Sequence, residues 1–183
     1  DAIRRRVVPR ACGDVLEIGA GAGVNFRLYE RGRVNRVYAL EPNRGMLRRA
    51  ERERQRAQVA IEFLDLPGER IPLAEASVDT VVSTLVFCTI PDVVEAIRGI
   101  RRVLRPGGSM IFREHGLAPD ADVERWQRRA EPLWGCVFGG CHLTREMPAL
   151  LGEGGFRAGQ MEQGYVAPFP KMASYCWWGE MVR

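Results

Sequence analysis

The stretch Val15-Leu16-Glu17-Ile18-Gly19-Ala20-Gly21-Ala22-Gly23 decides how the rest of the chain is read. A short apolar run gives way to glycine at every second position, the form of a strand that ends in a tight turn. Residues without a Cβ let the backbone approach a ligand closely at such a turn. Val34 to Leu40 repeats the apolar run after an interval of helical length, so strand, helix, strand is the opening unit. Val59 to Leu64, Val78 to Thr84 and Ser109 to Glu114 continue the series as third, fourth and fifth strands. Between them, helices are predicted over Arg44 to Arg56, after the Pro42-Asn43 stop, and over Asp92 to Leu104, which ends at Pro106-Gly107-Gly108. Such alternation implies a doubly wound α/β fold around a mostly parallel sheet covered on both faces. Beyond Gly116 the chain carries Trp126, Trp134, Phe138, three glycines and two cysteines before a helix starting near Thr144. The strand-like runs Phe156 to Gln163 and Ser174 to Val182 are expected to close the sheet as an antiparallel hairpin, its sixth and seventh strands.

At 183 residues the chain suits one packed core, so residues 1–183 are read as a single domain without repeats or linkers. Residues 116–145 stand outside the alternating pattern and are read as a substrate-side insertion or lid. The net charge of +4 comes from arginines scattered along helices, with no basic stripe interleaved with aromatics, which disfavours a nucleic-acid partner. Five cysteines, an odd number without CxxC spacing, fit a reducing cytoplasm. No run approaches the roughly 20 apolar residues of a bilayer span, so stable membrane insertion is not expected. A monomer or homodimer is the expected state.

The glycine spacing is itself informative. A dinucleotide fingerprint places its third glycine where this chain has Val24, so the loop reads GxGxG and the pattern disfavours NAD and FAD. Glu41 closes the second apolar run one βα unit later, where a carboxylate can accept hydrogen bonds from both hydroxyls of a ribose. The alternative for Glu41 is an acid favoured by a helix dipole, and for the loop a tight turn without a ligand.

Taken in order, these motifs resemble those of the class I S-adenosylmethionine-dependent methyltransferases. Val15 to Gly23 looks like their first motif and Leu40-Glu41-Pro42-Asn43 like their second. Pro67-Gly68-Glu69-Arg70-Ile71-Pro72-Leu73 sits where relatives carry the adenine-side loop, with Pro67 at a position where many have Asp. Arg102-Val103-Leu104-Arg105-Pro106-Gly107-Gly108 looks like the signature before strand five. The resemblance implies a Rossmann-like domain with S-adenosylmethionine as cofactor. It implies cofactor contacts from Glu17, Gly19, Ala20, Gly21, Gly23, Asn25, Glu41, Pro42, Gly68, Glu69, Thr84 and Leu85.

A narrower resemblance, running from about Asp14 to Phe156, is to the methyltransferase-like proteins whose animal members are microsomal thiol S-methyltransferases. It is carried by Thr84-Leu85-Val86-Phe87-Cys88, Arg113-Glu114-His115, Trp134, Phe138 and Gly140-Cys141-His142-Leu143-Thr144-Arg145-Glu146. This chain has His142 where animal relatives tend to have Asn, and lacks their apolar N-terminal segment. A small thiol is then the expected methyl acceptor; a phospholipid amine, a quinone or another small molecule is the alternative.

A sulfonium is already a good leaving group, so the protein's task is mainly to align, desolvate and, where needed, deprotonate the acceptor. With a pKa near 8.5, a thiol requires no strong base. His115 and His142, both expected at the carboxyl edge of the sheet, are the candidate bases; a histidine bonded to backbone is the alternative for each, and the favoured one for His142. Phe87, Cys88, Trp134, Phe138 and Cys141 are expected to form an apolar acceptor wall, with core packing as the alternative for each. Zinc ligation by Cys136, Cys141, His142 and His115 is discounted, because Cys136-x4-Cys141 has no matching second pair. The reading from another class is a regulatory protein that binds S-adenosylmethionine without turnover.

Overall fold

The computed structural model describes residues 1–157 and 159–183. Seven strands form one sheet: β1 (Gly13–Ile18), β2 (Val34–Leu40), β3 (Ala60–Leu64), β4 (Val78–Thr84), β5 (Leu104–His115), β6 (Gln160–Tyr165) and β7 (Tyr175–Val182). Their order is β3-β2-β1-β4-β5-β7-β6, parallel from β3 through β5, with β7 antiparallel to β5 and β6 antiparallel to β7. The predicted doubly wound sheet with its antiparallel C-terminal hairpin is therefore present, the hairpin entering with its second strand innermost. Strand order reverses between β1 and β4, and the carboxyl ends of strands at such a switch point diverge to leave a crevice.

Strand alternation divides the core into two layers. Leu16, Ile18, Val81, Met110 and Phe112 face one side, against Val93, Ala96, Ile97, Ile100 and Val103 of helix α3 (Val93–Val103). Val15, Val37, Val82 and Ile111 face the other, against Val7 of α1 (Ala2–Val7) and Ala50 of α2 (Arg44–Arg54). The apolar positions of α3 recur at helical spacing on a single stripe, and Asp92 caps its N-terminus by accepting from Glu95 N at 3.0 Å. Asn43 does the same for α2, accepting from Gly45 N at 2.8 Å.

Several boundaries differ from the sequence reading, each for a local reason. β5 begins at Leu104, before Pro106-Gly107-Gly108, because Val78 pairs with Leu104 and Thr80 next pairs with Ser109, so the intervening residues bulge out. Residues Ala121–Val137 form a helix, α4, that the sequence reading did not predict, since Pro132 and Gly135 interrupt the helical signal. Helix α5 (Met147–Glu153) starts later than Thr144, where Arg145 reaches back to the carbonyls of Phe87 and Ile90. Gly154-Gly155 ends α5, and β6 starts only at Gln160, not at Phe156; residue 158 of that predicted run lies outside the described residues. No helix among the described residues is long and apolar enough to cross a membrane. The five cysteines are all free thiols.

Candidate active site

The turn after β1 wraps one side of a crevice of about 500 Å³ at the switch point. Gly19 has φ +60°, and a Cβ there would lie 2.5 Å from Cγ2 of Val86, so any side chain collides with the β4 exit. Gly21 has φ +56°, but a Cβ would meet nothing nearer than 4.0 Å: its missing side chain leaves room on the open side. Glu41, only 9% exposed, faces this room. One of its oxygens accepts from Gly21 N at 2.9 Å and the other from Asn43 N at 2.8 Å. A carboxylate offers about four lone-pair sites, so two backbone bonds fix its orientation while two sites remain for a ligand's hydroxyls.

Of the residues expected at the cofactor, Gly19, Gly21, Glu41, Pro42, Gly68, Glu69 and Leu85 line the crevice together. Glu17, Ala20, Gly23, Asn25 and Thr84 lie behind that lining. The reason is the strand's alternation: Ile18 faces the crevice, which turns Glu17 to the other layer. There Glu17 accepts from Tyr29 Oη at 2.7 Å and from Asn25 Nδ2 at 2.9 Å, and Asn25 also donates to Thr84 Oγ1 at 3.0 Å. Burial pushes the Glu17 carboxyl up to about 7, against these hydrogen bonds, and pushes the Tyr29 hydroxyl well above its ordinary range. The network braces the loop from behind. Lining residues that the sequence reading missed include Ile18, Leu40, Asn43, Met46, Val86, Thr89, Ile90, Pro91 and Gly139. Leu40 and Asn43 flank Glu41 within the recognised second motif, so adjacency was the available signal.

Leu85 marks the far wall. It follows β4 directly, sits at φ +60° in the left-handed region that a branched side chain rarely adopts, and donates its N–H to Arg113 O at 2.8 Å. The next two residues are held by Glu114, which is fully buried and accepts from Val86 N at 2.8 Å, Phe87 N at 3.1 Å and Ser83 Oγ at 2.7 Å. Burial raises its carboxyl to about 7 even so.

On the other side of Leu85 lies a second cavity, of about 740 Å³, lined mainly by apolar groups including Ile3, Val166, Pro168, Phe169 and Trp178. Its polar lining is Asp1, Arg6, Tyr165 and Arg113; Arg113 is only 3% exposed, its Nη2 stands 3.4 Å from Asp1 Oδ2, and its Nε and Nη1 have no hydrogen-bond partner among the described residues. Leu85 is common to both cavities. The sequence reading missed Arg113, Phe169 and Trp178; the Pro-Phe-Pro run at 168–170, joining two strands, was the visible signal.

The expected acceptor wall is arranged differently. Phe87 is fully buried in the core layer of α3. Trp134 and Phe138 stack at a centroid distance of 4.0 Å, with Phe138 half exposed. None of Phe87, Cys88, Trp134, Phe138 and Cys141 lines either cavity. Cys141 instead takes Trp134 Nε1–H at 3.3 Å and lies 3.1 Å from His115 Nε2. The Cys141 thiol is lowered, chiefly by a hydrogen bond from Cys88, and Cys88 is raised by the same contact and by burial. His142 Nδ1 lies 2.8 Å from Glu131 Oε1 on a half-exposed surface. Neither His115 nor His142, the two candidate bases, lines the crevice or the second cavity.

Residues 16–112 match the Methyltransferase domain family. Human thiol S-methyltransferase TMT1B is 38% identical over 154 residues, 81% of this chain and 62% of that protein. Human thiol S-methyltransferase TMT1A is 38% identical over 137 residues, 72% of this chain and 55% of that protein. The chain thus spans less than two thirds of the length of these relatives. Among solved structures, an S-adenosylmethionine-dependent methyltransferase from Methanosarcina mazei matches with a TM-score of 0.72 at 18% identity, covering 93% of this chain and 92% of that one. One from Mesorhizobium loti matches with a TM-score of 0.69 at 17% identity, covering 98% and 95%. These two likenesses are of fold.

Proposed function

This chain belongs to the methyltransferase domain family, and we propose that it transfers the methyl group of S-adenosylmethionine to a small, largely apolar thiol. The observation that carries the reading is the shared wall at Leu85: a crevice with a ribose-ready carboxylate on one side and an apolar cavity on the other. In this reading the sugar hydroxyls bond the free lone pairs of Glu41, the purine lies toward Gly68, Glu69 and Ile90, and the sulfonium end reaches the Leu85 corner. The cofactor supplies an electrophilic methyl and a neutral leaving group; the protein supplies alignment and exclusion of water.

The cavity beyond Leu85 supports the acceptor assignment. Its apolar lining favours a hydrophobic molecule, and its volume suits a small one. The buried guanidinium of Arg113 on its wall stabilises a thiolate over a thiol, which lowers the acceptor's pKa toward neutrality without a general base. In this reading neither histidine is required as a base. The stretch 116–145, which contributes Gly139 to the crevice rim, serves in this reading as the cover on that side. Kinship with proteins named thiol S-methyltransferases supports the same acceptor class.

The test is direct. Purified protein is incubated with S-adenosylmethionine and matched acceptors that differ only at the reacting atom: an aryl thiol, a phenol and an aryl amine. The expected product is the S-methyl thioether, with the phenol and amine slower by orders of magnitude. Equal or faster methylation of the phenol or amine, or no cofactor binding at millimolar concentration, overturns the proposal.

A further inference from the structure

We propose that Cys88, His115 and Cys141 form a binding site for a thiophilic divalent metal ion, with Zn²⁺ as the fitting ion. The two sulfurs and a ring nitrogen lie within 4.8 Å of one another. Bond lengths of ~2.3 Å for Zn–S and ~2.0 Å for Zn–N put the ligand atoms of one tetrahedral ion roughly 3.5–3.8 Å apart. The trio lies close to that geometry: the His115 Nε2 to Cys141 Sγ distance of 3.1 Å has to widen slightly, and any pair near the upper limit to close by about 1 Å.

Three separate segments converge here: the corner after β4, the end of β5 and the turn after α4. Backbone bonds hold them together independently of any ion: His142 N donates to Cys88 O at 2.8 Å, and Leu117 N, two residues past His115, donates to Arg145 O at 3.0 Å. Cys88 and Cys141 are buried, at 3% and 8% exposure, which suits a site protected from competing ligands.

The polar geometry separates a ligand site from inert packing. A thiol sulfur is a weak acceptor, yet an indole N–H and an imidazole nitrogen both converge on Cys141. Trp134 stands where an outer partner of a metal-bound thiolate belongs, donating to its sulfur. When the ion binds, the thiol protons pass to solvent, two thiolates balance its charge, and the fourth tetrahedral position is left to water or another small ligand. The sequence reading weighed Cys136, Cys141, His142 and His115 as ligands and discounted zinc; Cys88 was not among them, and Cys136 and His142 do not join the cluster. Those two face away, Cys136 onto Pro132 O and His142 onto Glu131. The site stands apart from the thiol assignment, since none of its three residues lines either cavity.

The experiment uses the full chain, reduced, stripped of metal by a chelator and titrated with Co²⁺. One equivalent is expected to give an intense thiolate-to-cobalt absorption, which one equivalent of Zn²⁺ abolishes by displacement. Bound Zn²⁺ is expected to protect two thiols from alkylation, identified by peptide mapping as Cys88 and Cys141, while Cys12 and Cys136 react. Cys141→Ser and His115→Gln are expected to weaken binding beyond the ~10–100-fold that outer-shell changes cost, and Cys136→Ser to leave it unchanged. Absence of the thiolate band, protection of a different pair, or a Cys88–Cys141 disulfide that persists under mild reductant overturns the proposal. The alkylation pattern of the unmutated protein decides the matter even where a variant fails to fold.

Discussion

Replacing Glu41 tests the reading most sharply, because its two roles separate on measurement. Its carboxylate accepts from Gly21 N and Asn43 N and keeps lone pairs free for two ribose hydroxyls. Hydrogen bonds to a charged group are worth ~1.5–3 kcal/mol each, so losing both in Glu41→Ala amounts to ~3–6 kcal/mol. That is roughly 10²–10⁴-fold in Kd, and the lower end is expected because the crevice is open to water. Losing the two backbone bonds loosens the loop as well, at ~1–3 kcal/mol, which lowers Tm by several degrees in a chain of this size. Calorimetric titration with S-adenosylhomocysteine reads the first effect and thermal melting the second. A ligand lacking both ribose hydroxyls closes the cycle: it is expected to bind the unmutated protein about as weakly as the variant binds the full ligand, and to lose little further on the variant. If folded Glu41→Ala binds within about threefold of the unmutated protein, or if the dideoxy ligand loses as much on mutation as the full one, the carboxylate is not the sugar's partner and the argument fails.

Other expectations follow from single contacts. Gly19→Ala, whose Cβ would lie 2.5 Å from Val86 Cγ2, is expected to destabilise by ~2–4 kcal/mol in denaturant titration, whereas Gly21→Ala, with similar φ and free space, costs only ~1–2 kcal/mol. Glu17 and Glu114 both have carboxyls raised by burial from the ordinary 4.5 to about 7. Their stabilising protonated form is retained on folding below pH 4.5, and its benefit is lost as pH rises through that window, by about 3 kcal/mol for a shift of this size. Urea midpoints are therefore expected to fall between those limits, and Glu17→Gln to flatten the slope; a rise in midpoint over the same range contradicts the assignment. Arg113→Met is expected to move the alkaline-going limb of the thiol methylation pH profile upward by roughly one to three units, since an adjacent cation is removed. A lowered rate with an unmoved profile assigns Arg113 to packing alone.

The parts of the fold that sequence made legible are those where one residue type has one physical use. Glycines at 19, 21 and 23 after an apolar run admit few readings, and β1, β2 and β4 lie where the runs Val15 to Ile18, Val34 to Leu40 and Val78 to Thr84 placed them. Glu41 was legible because it ends a strand one unit after the loop. Glu17 was not, because motif membership says which residues cluster but not which face of the strand each takes. α4 was hidden by Pro132 and Gly135, whose cost is met by tertiary contacts such as Gln127, donating to Gly116 O at 3.1 Å and to Met172 O at 3.0 Å. The second cavity draws on Ile3, Arg113 and the hairpin residues Phe169 and Trp178, three places far apart in the chain, and no local pattern encodes such a convergence.

The corner after β4 joins these pieces into one mechanical unit. Leu85 in the left-handed region costs ~1–2 kcal/mol relative to ordinary backbone. The Glu114 bonds to Val86 N, Phe87 N and Ser83 Oγ, with the Leu85 N–H to Arg113 O, are what hold it there. Val86 also abuts the glycine loop, since the space a Gly19 side chain would fill is already taken by its methyl groups. The glycine loop, the wall between the cavities and the buried Arg113 are thus in direct contact in series. A buried carboxylate is suited to that junction because three donors converging on two oxygens leave the corner little freedom to relax independently.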